Sequence, residues 1–498
     1  MNYIEISMFI LYLACMLLIG IWFFIKSKSE GEKGYFLGGR KMSAWVSGLS
    51  AGASDMSAWV LMGLPTSVYS MGLGQMWIPI GLALGYTLSW IFIAPRLRQF
   101  SIVANDSITI PQYLTNRFKS KSLALQVICA IIFLIAYTIY CASSIKACGT
   151  LFNTVMGVNP MIAMFIAAVV IVSYTFLGGF NAVCWTDFFQ ALLILGAMLL
   201  APIFASALIT PDKIATANLD PNYMNPFNNW KEIVSGLAWG FGYFGMPHII
   251  IRFMSIDKQK NIKKSAVVGV CWTVLIVTFA LIIGIIGRYF LGMDQTVVDK
   301  ELVFVEMVRN IFHPVQIGTF LIGFYISGIL LAAVLAASMS TADSQLLSAA
   351  SSFASDVYKP IFRKNKISEK EMLWTSRIVV LLIAVIAVVI AANPDSGSIM
   401  SLVSNAWGVF GATFGPVILL SLFWRRFNFA GAVAGIIGGG LIDILWFTYL
   451  SNLEIYELLP GFVGGLIIAV VATFIAGDKD KGPQELYDEA IAYKETEE

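Results

Sequence analysis

Long apolar runs follow one another along this chain with little between them, separated by short stretches that hold most of its charge. A membrane-crossing helix needs about 20 mainly apolar residues. The pattern predicts thirteen such spans, at about 4–25, 43–71, 73–95, 123–151, 161–177, 183–209, 232–251, 265–290, 316–340, 374–391, 399–424, 428–450 and 457–476. The lead-in to the first, MNYIEIS, carries Glu5 and no basic residue, and Lys26 and Lys28 follow the run. That order predicts a retained anchor with its N-terminus outside, not a cleaved leader.

Orientation follows from basic residues, which are retained on the cytoplasmic side. With the N-terminus outside, 25 of the 32 Lys and Arg fall on the cytoplasmic side, in the segments Lys26 to Lys41, Arg96 to Lys121, Arg252 to Lys264, Lys359 to Lys370, Arg425 with Arg426, and the tail. Lys213, Lys231, Arg288, Lys300 and Arg309 fall outside, and Lys146 and Arg377 lie within spans. One missed helix would invert every later loop, so the skew supports thirteen spans, N-terminus out and C-terminus in. The expected organisation is one transmembrane domain over 1–477 and a cytoplasmic tail over 478–498, the acidic end of which reads as a solvated terminus.

Composition sharpens this picture. Apolar residues make up 58% of the 498 and charged ones 12%, about half the charged share of a soluble domain. The net charge of +2 gives no basic excess for nucleic acid. The six cysteines lack CxxC spacing and read as buried small hydrophobes. Two histidines, His248 and His313, are too few for a histidine metal centre. No hydrophilic stretch is long enough to bury a core of its own.

Three spans break the apolar rule. The second reads SGLSAGASDMSAWVLMGLP, with Asp55 at mid-span among Gly and Ser. Small residues alone would suit close helix packing, but a mid-span aspartate costs about 2.5–3.5 kcal/mol even on lenient scales and so predicts a functional site. The seventh, GLAWGFGYFGMPHII, sets four glycines among aromatics before Pro247 and predicts an unwound stretch near Gly240–Gly245. Corresponding breaks in two halves of a chain point to an inverted-repeat transporter. The ninth ends in ASMSTADSQ, where a hydroxyl at Ser340 or Thr341 and the carbonyl of Ala337 can share one helical face. Oxygen-only ligation of this kind suits a hard cation, and small-residue packing is the competing reading. In GGFNAVCWTD, Asp187 suits either a helix cap or a gate pair.

The runs GLSAGASDMSAWVLMGLP, TIYCASS, GGFNAVCWTD, WGFGYFGMPHIIIRFM and MSTADSQLL, in this order between about Gly38 and Gly477, resemble the bacterial sodium/proline symporters of the sodium:solute symporter family. The resemblance implies an all-α polytopic membrane protein with a leucine-transporter-like five-plus-five inverted repeat, repeat 1 at about 43–209 and repeat 2 at about 232–424. One helix precedes this core and two follow it. It further implies sodium-coupled uptake of L-proline by alternating access, not an enzymatic reaction, in a cell membrane, with sodium as the co-transported ion and no obligate protein partner. Carried over by motif, the sodium site would use the carbonyls of Ala53, Met56 and Ala337 and the hydroxyls of Ser340 and Thr341, with Asp55 as the sodium-linked carboxylate. Ser57 would lie between ion and solute. Tyr140, Trp239, Tyr243 and Pro247 would line the solute pocket, and Arg40 and Asp187 would belong to the cytoplasmic ion path. Two departures from the bacterial pattern stand out: Ala58 in place of glycine, and Asp343 in place of an uncharged residue.

Alternatives remain open at this level. Another small solute, such as pantothenate, would suit the same core. A membrane enzyme using Asp55 as general base lacks a second carboxylate or histidine in the pattern, and a sensor or channel would call for a signalling domain or a ring-forming pore motif.

Overall fold

The computed structural model describes residues 3–26, 31–315, 321–477 and 481–495. The predicted starts of the N-terminal lead-in and of the ninth span, and parts of the tail, lie outside these residues. The described chain is helical, and its one extended contact is an isolated parallel bridge between Met42 and Ile256. The helices used below are α1 (Tyr3–Lys26), α2 (Ala44–Ala53), α3 (Leu64–Met71), α4 (Trp77–Leu88), α5 (Ala94–Val103), α6 (Ala124–Met156), α7 (Pro160–Ala207) and α8 (Trp230–Ala238). They continue with α9 (Pro247–Ser255), α10 (Ile262–Leu291), α11 (Ile322–Ser352), α12 (Glu369–Ala392), α13 (Ile399–Phe423), α14 (Phe429–Tyr449), α15 (Leu458–Ala476) and α16 (Gly482–Ala492).

Among the described residues, ten helical stretches are long and apolar enough to cross a membrane. The other three predicted spans differ for local reasons. Two are interrupted, at 54–57 between α2 and α3 and at 239–246 between α8 and α9, so neither presents one continuous helix. The third is the short apolar piece Pro160–Ser173, which runs into the next span through Gly179. That glycine has φ +59°, and a side chain there would meet the Tyr35 ring at 2.7 Å, so only glycine lets α7 turn at this point.

α11 is the central helix. It is buried along most of its length, because its Ala and Ser side chains let α1, α6 and α7 approach closely. α12 is peripheral: Ile378, Leu382, Ile386 and Val389 form an exposed apolar stripe, while Val379, Ile383 and Ala387 on the other face are buried. A stripe of that kind suits contact with hydrocarbon. α4 crosses the second interruption so tightly that a Cβ on Gly85 would stand 2.1 Å from the carbonyl oxygen of Gly240.

Two expectations are corrected. The tail is not a free end: α16 docks, with Leu486 and Ala490 buried, and Arg117 donates to the carbonyl of Pro483 at 2.6 Å. Its acidic groups find basic partners on the helix ends, Asp488 with Arg425 and Glu495 with Arg98. Nor are all the cysteines buried. Cys129, Cys141, Cys148 and Cys184 are, but Cys15 and Cys271 are exposed on outward faces of α1 and α10, and all six are free thiols.

Candidate functional site

The first interruption frees backbone carbonyls, which in a dry interior must find donors. The helix stops after Ala53, turns at Ser54 and Asp55, passes Met56 and Ser57 outside helical geometry, and resumes at Ala58 with a wide π turn over Trp59–Gly63. Three of the freed carbonyls are reached by side chains. Ser340 Oγ on α11 donates to Ala53 O at 2.8 Å, and 3.1 Å separates it from Ala337 O. His248 Nε2 lies 3.1 Å from Ser54 O; because a carbonyl only accepts, this nitrogen carries the proton and Nδ1 faces the Tyr137 hydroxyl at 3.3 Å. Asp55 O accepts from Trp59 Nε1 at 3.2 Å and from the Tyr140 hydroxyl at 3.4 Å.

The Asp55 carboxylate is fully buried, and its Oδ2 accepts from the hydroxyl of Tyr243 in the second interruption. Its Oδ1 and Thr341 Oγ1 are buried and have no hydrogen-bond partner among the described residues. The Ser340 hydroxyl and the carbonyls of Ala53 and Ala337 thus meet where the break packs on α11, with the Asp55 carboxylate and the Thr341 hydroxyl buried on the same two segments. This is a hard-oxygen environment suited to an alkali cation. Of the predicted ion-site residues, Ala53, Ala337 and Ser340 meet directly, with Asp55, Met56 and Thr341 on the same segments. Ser57 lies in the break, its amide on Asp55 O at 2.9 Å.

The second interruption is tighter than the unwound stretch predicted. Residues Trp239–Phe244 wind as a 3-10 turn, and helical geometry is lost at Gly245 and Met246 before Pro247 starts α9. Pro at the first position of a helix costs nothing there, since that amide has no partner in any case. Trp239 stacks on Tyr456 (5.0 Å, 23° between planes) and lies 5.9 Å from Trp59. Tyr243 packs edge-on against Tyr86 and Trp407. Tyr140, Trp239, Tyr243 and Pro247 are all buried, and Tyr140 and Tyr243 converge on Asp55 from opposite sides in sequence.

Below this lies an ion pair the sequence reading missed. Arg252, counted there as a loop charge, is 1% exposed on α9. It donates to Asp187 Oδ2 at 2.9 Å, Ser50 Oγ at 2.8 Å, Ser344 Oγ at 2.6 Å and the His248 carbonyl. Ser50 in turn donates to Asp187 at 2.6 Å, and Ser344 to Asp343 at 3.1 Å. Asp187 is therefore a pairing group inside α7, not a helix cap. The available signal was Arg252 itself, a charge one turn beyond His248 in the apolar run PHIIIRFM.

Arg40 stands apart from Asp187. It bonds Asp106 Oδ1 at 2.9 Å, Met254 O at 2.6 Å and Ser107 O at 2.9 Å, and so ties the entry to α2 to the end of α9. Beside it, Met42 N reaches Ser255 O at 3.1 Å and Asp257 N reaches Met42 O at 3.1 Å. Arg98 holds Ile256 O at 2.9 Å and Asp257 O at 2.8 Å, and it also reaches Gln259 Oε1 at 3.3 Å and Glu495 of the tail at 2.7 Å.

Comparison with known proteins agrees with this architecture. The "High-affinity proline transporter PutP" of Bacillus subtilis (strain 168) is 41% identical over 458 residues, covering 91% of this chain and 94% of that protein. The "Sodium/proline symporter" of Escherichia coli (strain K12) is 38% identical over 498 residues, covering 97% of this chain and 96% of that protein. A solved structure of a Na+-coupled sialic acid symporter in a substrate-bound outward-open state shares the fold at a TM-score of 0.78 and 20% identity, over 95% of this chain and 98% of that one. The sodium:solute symporter family model matches residues 35–439, a stretch that takes in both helix breaks and the polar end of α11, and the chain belongs to that family.

Proposed function

We propose that this protein is a secondary active transporter that couples inward sodium movement to uptake of L-proline by alternating access, as the names of its relatives suggest. The single observation that carries the reading is the junction of Ser340 with Ala53 and Ala337, beside Asp55 and Tyr243. There an ion would join α11 to the broken helix, and the same carboxylate would meet the aromatic group of the solute wall.

In this reading the chain crosses the membrane thirteen times, N-terminus outside and tail cytoplasmic. Repeat 1 spans about 43–209 and repeat 2 about 232–424, with α1 before and α14 and α15 after. Sodium, as cargo, takes the oxygens of Ala53, Met56, Ala337, Ser340 and Thr341, drawn by Asp55. Proline, a zwitterion with a compact ring, lies against Trp239 and Tyr243, with Tyr140, Ser57 and Pro247 completing the pocket. Its carboxylate suits amides at a half-helix start, where backbone donors are free. Arg40 and Asp187 hold the cytoplasmic side through Asp106 and Arg252. The family moves solutes and does not transform them, so no group here is assigned a catalytic role.

Energetics are adequate. One charge moved through about 100 mV releases about 2.3 kcal/mol, and a tenfold sodium gradient adds about 1.4 kcal/mol. Together these support a proline gradient of several hundred-fold, on the order of 10² to 10³, at 1:1 coupling. Purified protein in liposomes should accumulate labelled proline under an inward sodium gradient; equal accumulation under potassium would sink the proposal. Competition by other amino acids and by pantothenate tests the choice of solute.

A further inference from the structure

The last three membrane helices carry one charged side chain among them. α13 and α15 have no titratable residue, and α14 has Asp443 and the outward-facing Tyr449. Asp443 is 2% exposed, and its Oδ1 has no hydrogen-bond partner among the described residues. An acid at such depth is costly and marks function by default. Gly408 on α13 makes its room: a Cβ there would stand 3.0 Å from Asp443 Oδ1, 3.5 Å from Oδ2 and 3.4 Å from Cγ of Glu457. Two carboxylic side chains from different elements therefore converge on one glycine, and Glu457, at 9% exposure just before α15, gives the pair its route to water.

Among the described residues, no ion pair reaches either of them. Glu454, in the segment leading to α15, is held by Lys231 of α8 at 2.9 Å, and the Tyr456 hydroxyl donates to Ser404 O at 2.7 Å. Tyr243, from the turn that packs on α13, is engaged with Asp55. Two neighbouring carboxylates in a dry setting do not both ionise. We propose that Asp443 and Glu457 form a proton-binding site, one proton shared between two carboxyls, set behind the aromatic wall of the candidate pocket. The proton comes from the aqueous phase past Glu457 and returns the same way.

Each member adjoins that wall. Tyr456, next to Glu457, stacks on Trp239, and Trp407, next to Gly408, donates through Nε1 to Trp239 O at 2.9 Å. Loss of the proton would set two negative charges side by side and drive Glu457 outward, carrying Tyr456 off Trp239. That last link rests on Trp239 lining the solute site; the proton site itself does not.

Infrared difference spectra of the purified protein across an alkaline pH step test the site without any solute. The expected result is a protonated-carboxyl C=O band that wild type loses at high pH, that Asp443→Asn lacks, and whose pH midpoint shifts in Glu457→Gln. The Glu457 variant alters the less deeply buried member, just before α15, and stays informative where the Asp443 variant does not fold. A wild-type spectrum without the band, or a band with the same midpoint in Glu457→Gln, overturns the proposal. Sodium-driven proline uptake by the same wild-type preparation reports separately on the transport reading.

Discussion

The two helix interruptions solve the same backbone problem in opposite ways. At 54–57 the amides stay bonded within the turn, and the carbonyls of Ala53, Ser54 and Asp55 are taken up by side chains from three other elements: Ser340, His248 and Tyr140. At 239–246 most of the backbone closes on itself as a 3-10 turn, and what it presents is mainly the rings of Trp239 and Tyr243. Small polar residues allow the first to become an oxygen-rich cage. Glycines between aromatics allow the second to become a flat wall, pressed against α4 at Gly85 and Gly240. In the proposed function one break serves the ion and the other the solute ring, and the Tyr243–Asp55 hydrogen bond joins them.

Removing what holds the two halves together should have the largest effect. Arg252→Gln leaves Asp187 buried without its cation, and losing one partner of a buried pair costs about 3–5 kcal/mol. The expected outcome is a steep fall in the thermal stability of the solubilised protein, and unaltered melting would show that the pair does not carry this load. Next, Gly85→Ala forces α4 off the second break; overpacking of this kind costs about 1–3 kcal/mol. Its melting temperature should fall, and proline affinity should weaken more than sodium affinity, since the strain enters at the second break.

Asp55→Asn addresses the first break. The sodium concentration for half-maximal uptake should rise at least about tenfold, equivalent to about 1.4 kcal/mol, and an unchanged sodium titration would remove Asp55 from the ion site. Trp239→Ala addresses the second. Proline affinity should weaken more than sodium affinity, by about 0.5–1.5 kcal/mol for the lost ring contact; the reverse order would exchange the two assignments.

The smallest effect is expected at the tail. Burial alone would raise the Glu495 carboxyl, but the Gln259 amide and the Arg98 guanidinium outweigh it and hold it below its ordinary value. A lowered acid stabilises docking at neutral pH, and the contribution is lost as pH falls through the lowered value. Amide exchange at Gln259, followed across an acid titration, should accelerate in that window in wild type and show no such step in Glu495→Gln.

Much of this was legible before any coordinates. Asp55 stands out because a charge inside an apolar run is expensive wherever its partner lies, and the glycine and proline pattern of 236–247 limits helix continuity by itself. Ser340 reads as a ligand candidate because its spacing from Ala337 is a helical one. Arg252 did not stand out because a basic residue at the end of an apolar run looks the same whether it faces water or Asp187. The tail read as solvated because its basic partners, Arg98, Arg117 and Arg425, lie 63 or more residues away from the groups they hold.

By itself, then, the sequence determined the membrane-spanning class, the placement of the apolar segments and where two of them break, because each depends on residues within a few turns of one another. Only the tertiary structure decided which carbonyl Ser340 meets, that Asp187 and Arg252 pair beside the site, that α16 docks, and that Asp443 and Glu457 both come to Gly408. Those contacts join groups far apart in the chain, or on different helices whose faces are chosen by packing, and local composition carries no record of that choice.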